Sequence, residues 1–89
     1  MARFEISQLG EVAHIDGASA GDSLYELGLI YATGREGEVD LISAHKWFNL
    51  AAMRGNETAK RYRREISVDM SRREIAKAQR QAREWLTTH

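Results

Sequence analysis

The side chains with the widest chemical reach in this 89-residue chain are three histidines, His14, His45 and His89. Imidazole can bind zinc or carry a proton near neutral pH, but either task needs partners at a fixed spacing. The chain has no His-x-x-x-His, no His-x-x-Glu-His and no cysteine, so no zinc site is expected. His45 stands beside Lys46 and Trp47 on a helical stretch, where a partly exposed packing histidine is a simpler reading than a general base. Gly34-Arg-Glu-Gly37 has the outline of a phosphate loop. It lacks the Gly-Lys-Ser/Thr ending, however, and follows a helical pattern rather than a strand, so it reads as a turn. Trp47, Phe48 and Trp85 fall at helical spacing and read as core before they read as a ligand box. No nucleophile–base pair emerges. The expectation is a protein without catalysis, without a cofactor and without a bound metal.

The elements that would position these side chains are helices. Leu24, Leu27 and Tyr31 recur at three- and four-residue steps and share one face, with Gly28 between them. A glycine inside a helix costs roughly 0.5–1 kcal/mol against alanine, and close approach of a neighbouring helix would justify it. Asp22 reads as an N-cap, and Gly34 and Gly37 as the breakers that end this helix. Asp40 caps a second helix carrying Leu41, Ala44, Trp47/Phe48 and Ala51, and Gly55 closes it. A short loop makes the two helices antiparallel neighbours. Ser71-x-x-Glu74 is a capping box, and Met70 with Ile75 fits a hydrophobic staple, so a last helix starts there. The expected all-α chain has four to five helices, at about 7–14, 22–33, 40–54, 57–66 and 71–87. Residues 2–18 are the least defined: Phe4 and Ile6 alternate like a strand, whereas Leu9, Val12 and Ala13 favour a short helix that covers helix 22–33.

Leu27-Gly28-x-x-Tyr31-x-x-Gly34, then Val39-Asp40, Ala44-x-x-Trp47-Phe48 and Ala51-Ala52-x-x-Gly55, resembles the SEL-one-like repeat, a relative of the tetratricopeptide repeat. The resemblance covers residues 19–55 and continues in weaker form to Trp85. It implies a short α/α solenoid of antiparallel helix pairs in a small protein of bacterial type, with protein–protein interaction rather than catalysis as its role. Partial repetition supports it: Ala59 follows Ser23 at a spacing of 36, and Ile75, Ala78, Ala82 and Trp85 follow Leu41, Ala44, Phe48 and Ala51 at 34. In the second unit Arg63 and Arg64 replace the Leu-Gly pair, and Ser67 the tyrosine. A charged final repeat suits a cap whose outer face meets water. The chain thus reads as one domain over 1–89: an N-terminal half-repeat (1–18), a main repeat (19–55) and a degenerate C-terminal capping repeat (56–89).

Composition fits one small domain with a modest core, since 43% of residues are hydrophobic. No run of apolar residues is long enough for a membrane span, and no signal peptide is evident, so a cytoplasmic location is expected. The net charge is zero but unevenly spread. Residues 1–55 hold four basic and eight acidic side chains, and residues 56–89 nine basic and five acidic, a balance of −4 against +4. The basic half could serve an acidic protein partner or nucleic acid. The plainer reading is a solvated helix face, because Glu65, Asp69, Glu74 and Glu84 are interleaved with the arginines and only Tyr62 offers an aromatic platform. A second apolar stripe, Tyr25, Leu29 and Ala32, lies about 100° around the first helix. Either it packs beneath the N-terminal segment or it lines a groove where a partner docks. With Arg61, Tyr62 and Arg64 of the next unit, Tyr25 and Leu29 form the candidate partner-binding set. The expected function is a small adaptor that binds a protein partner or itself. The alternative is a nucleic-acid-associated regulator using the basic C-terminal half.

Overall fold

The computed structural model describes residues 19–89. The helix expected over 7–14, the N-terminal half-repeat and His14 lie outside the described residues. Within them the chain is all-helical: α1 (Ala20–Thr33), α2 (Leu41–Met53), α3 (Glu57–Ser67) and α4 (Arg72–Thr88). The bounds fall within two residues of those expected from caps and breakers.

Each helix starts on a side-chain cap, which satisfies a first-turn N–H that has no partner inside the helix. For α1 the cap is Ser19 rather than Asp22. The Ser19 hydroxyl accepts from the Asp22 N–H (3.1 Å), and the Asp22 carboxylate accepts back from the Ser19 N–H (3.4 Å). Asp22 is therefore the third helical residue of a capping box. Asp40 caps α2, Asn56 caps α3, and Ser71 with Glu74 forms the capping box of α4. The Asn56 amide also donates to the Asp22 carboxylate at 3.0 Å, which ties the starts of α1 and α3 together. α1 ends at Gly34, whose φ of 70° lies in the left-handed region; the N–H groups of Gly34 and Arg35 converge on the Ile30 carbonyl.

α2 is the hub, in contact with the other three helices. α1 runs antiparallel to it: Gly21 meets Arg54, Gly28 meets Phe48, and the Asp40 N–H donates to the Tyr31 carbonyl. A Cβ built on Gly28 would lie 3.0 Å from Phe48 Cγ and nearer still to the ring edge. The glycine is there because the Phe48 ring takes that space. Tyr25, Phe48 and Tyr62, one from each of α1, α2 and α3, form a triangle of rings with centroids 5.9, 6.1 and 6.0 Å apart. This triangle, with Leu29, Leu50, Ala44 and Ala51, is the centre of the core. α4 docks on α2 through Ala78 and Ala82, and Trp85 meets Trp47 edge to face at 5.8 Å. α3 and α4 each pack more on α2 than on one another. No helix of the described residues is long and apolar enough to cross a membrane.

Candidate functional site

The surface expected from Tyr25, Leu29, Arg61, Tyr62 and Arg64 divides in two. Tyr25 (4% exposed), Leu29 (0%) and Tyr62 (8%) belong to the core and present no docking face. α1 packs on α2 and also meets α3, where Tyr25 faces Tyr62 and Asn56 reaches Asp22. Its buried stripe therefore runs Gly21, Leu24, Tyr25, Gly28, Leu29 and Ala32, rotated away from Leu27 and Tyr31. Burial raises the Tyr25 phenol well above the usual tyrosine range, and the neighbouring Tyr62 adds to the effect. Arg61 and Arg64 are exposed, as expected. The Arg61 guanidinium lies over the edge of the core on the Tyr62 ring, 5.4 Å from its centroid.

Two of the three histidines can be placed. His45 is 3% exposed, not partly exposed as its sequence context suggested, and its Nδ1 has no hydrogen-bond partner among the described residues. Burial, and then the charge of Arg63, push its pKa down to about 4, so it packs as a neutral ring. Arg63 itself donates to Asn49, one turn beyond His45 on α2. His89 stacks on Trp85 with centroids 4.4 Å apart and planes 9° from parallel. Among the described residues no group of three His, Asp or Glu side chains has the geometry of a metal site.

A groove of about 690 Å³ opens where the α1–α2 loop meets the start of α4. Ile30 and Tyr31 from the end of α1, Val39 from the loop, and Leu41 and Ile42 from the start of α2 give it apolar walls. Tyr31 and Val39 are 37% and 57% exposed. Five carboxylates, Glu36, Glu38, Asp40, Asp69 and Glu74, surround these walls, and no Lys, Arg or His lines them. Asp40 is engaged by the Ser43 N–H and hydroxyl (3.1 and 2.8 Å), and Glu74 by the Ser71 N–H (2.8 Å). Glu36, Glu38 and Asp69 face water without a partner among the described residues.

The opposite charge collects on α4. Arg72, Arg73, Lys77, Arg80 and Arg83 are all exposed, and at 100° per residue they span an arc of about 140° facing away from Ala78 and Ala82. Glu84 is the one acidic side chain on that arc. Among the described residues the only ion pair is Arg35–Glu26, at 2.6 Å, so none of these five cations is paired with a described carboxylate.

Helical periodicity places Tyr31 on the packed face and the family pattern alone accounts for Val39, so neither points to the groove in the sequence. A signal was available: an exposed Val between Glu38 and Asp40 is an apolar residue framed by acids in a loop that has no core to fill. Compared with protein-family models, with curated proteins and with solved structures, the chain finds no match in any of the three.

Proposed function

We propose that this chain is a small non-catalytic adaptor of the SEL-one-like repeat type, an accessory subunit or regulator that binds a larger protein or itself. The observation that carries the reading is the groove. Apolar side chains left 37% and 57% exposed at Tyr31 and Val39 sit beside carboxylates that nothing in the described structure neutralises. Isolated exposed apolar residues need no explanation, but a contiguous concave set with a polar rim is the anatomy of a docking site. The α1–α2 pair supports the repeat likeness, since its glycine–phenylalanine contact and its loop occupy the motif positions. The partner-binding residues of this reading are Tyr31, Val39, Leu41 and Ile42, in place of Tyr25, Leu29 and Tyr62, with Arg61 and Arg64 outside the groove.

A capture experiment tests it. The immobilised chain should retain a protein partner in high salt, and Tyr31→Ala with Val39→Asp should release that partner while far-UV circular dichroism stays unchanged. A partner that binds the folded double variant as well as the native chain would remove the groove from the proposal.

The exposed cations of α4 favour a second reading, nucleic-acid binding. The aromatic arrangement works against it: Tyr62 is buried, and Trp85 is half-buried, meeting Trp47 edge to face and stacked by His89 on one side, which leaves little ring surface beside the cations for a base. RNA or DNA affinity that falls steeply with salt would favour this second reading.

A further inference from the structure

The acidic groove and the basic face of α4 belong to the same chain, and they are complementary. We propose that the groove receives the outer face of α4 from a second copy of this protein; this rests on reading the groove as a docking site. Charge complementarity is the argument for that occupant. The groove carries five carboxylates and no cation, whereas the arc from Arg72 to Arg83 carries five cations and one carboxylate. Ala76 lies within the arc, at about 40° from Arg72 on a helical wheel. With no long side chain there, the helix backbone can approach the walls formed by Tyr31 and Val39 while the arginines straddle them and reach Glu36, Glu38 and Asp69. The two surfaces adjoin on one molecule, since Glu74 of α4 lines the groove and the basic arc runs onward from there. A two-fold arrangement therefore lets each groove take the other copy's helix and closes the assembly at a dimer.

The contact is electrostatic at its rim, so it should weaken with salt. Sedimentation velocity on the full chain, across a concentration series at low and high salt, reads it directly. The native chain is expected to dimerise at low salt and to lose about tenfold or more in dimer affinity at high salt. Glu36→Lys with Glu38→Lys, and separately Arg80→Glu with Arg83→Glu, should each be folded and monomeric. Mixed in equal amounts, the two reversed variants present complementary grooves and helices again, and a heterodimer should form. A native chain that stays monomeric throughout would overturn the proposal. So would variants that dimerise like the native chain, or a mixture that remains two monomers. Loss of a captured partner on Tyr31→Ala with Val39→Asp is a separate readout, so the adaptor reading can survive the failure of this one.

Discussion

At the scale of single residues, Gly28 is the clearest case of a sequence feature with a physical cause. Replacing it with alanine gains roughly 0.5–1 kcal/mol of helix propensity, but the new methyl falls on the Phe48 ring. That ring is 0% exposed and has nowhere to go, so overpacking at about 1–3 kcal/mol should win. The expected outcome is a Tm lowered by several degrees in Gly28→Ala, and further in Gly28→Leu; a raised Tm would mean that Phe48 can step aside. His45 makes a second prediction. Its folded pKa of about 4 lies below the roughly 6.5 of an unfolded histidine, so the unfolded chain binds the extra proton between those values. Its contribution is therefore full above about pH 6.5 and is lost as the pH falls toward 4, at most about 3 kcal/mol in all. Urea unfolding at pH 7 and pH 4.5 should show a smaller acid loss in His45→Leu than in the native chain, and parallel profiles would refute it. The need for a close neighbour at Gly28 was legible in the sequence, because the cost of a mid-helix glycine demands a reason. The burial of Tyr25, Leu29 and Tyr62 was not. Deciding it requires knowing that Tyr25, Phe48 and Tyr62 of three different helices meet, which periodicity along one helix cannot say.

Between residue and molecule, the helices themselves were the most legible level, because caps and breakers are local chemistry. Ser71-x-x-Glu74 and Gly34 act where the pattern placed them. Asp22 looks like a cap in the sequence but is the third helical residue of the box, since Ser19-x-x-Asp22 uses Asp where Glu or Gln is usual. The register of the second unit also follows from caps better than from apolar letters. Ser19 and Asn56 are both N-caps, so the offset is 56 − 19 = 37 rather than 36. It then pairs Tyr25 with Tyr62 and Leu29 with Ile66, residues that are all buried. Ser71→Ala should cost about 0.5–2 kcal/mol through the lost cap. Trp85→Ala should cost less than the 3–5 kcal/mol typical of a fully buried aromatic, about 2 kcal/mol, since Trp85 is only half-buried against Trp47. Chemical denaturation of both variants measures the two losses. A Trp85→Ala variant as stable as the native chain would show that the edge-to-face contact contributes nothing to the docking of α4.

For the molecule as a whole, the hub arrangement makes a claim about cooperativity. α1, α3 and α4 all lean on α2, and α3 and α4 hardly lean on each other. Among the described helices no pair is therefore left with a core of its own once α2 is lost, since Phe48 reaches both Tyr25 and Tyr62 while Trp47, one residue earlier, reaches Trp85. Two optical probes see different parts of this arrangement. Tryptophan fluorescence reports only the Trp47–Trp85 contact between α2 and α4, because these are the two tryptophans of the chain. Far-UV circular dichroism reports every helix at once, the four of the described residues among them. If α2 couples them, the two urea transitions should coincide in midpoint and slope, the signature of a two-state unit. Phe48→Ala removes the ring that meets Tyr25 of α1 and Tyr62 of α3, rather than either tryptophan of the α2–α4 contact, at a cost of about 3–5 kcal/mol. It should nevertheless move the fluorescence midpoint as far as the dichroism midpoint. A fluorescence transition that stays in place while the dichroism shifts would show α4 to be an independent unit resting on α2. The capping role read from its charged outer face would then have to be replaced by that of a detachable arm.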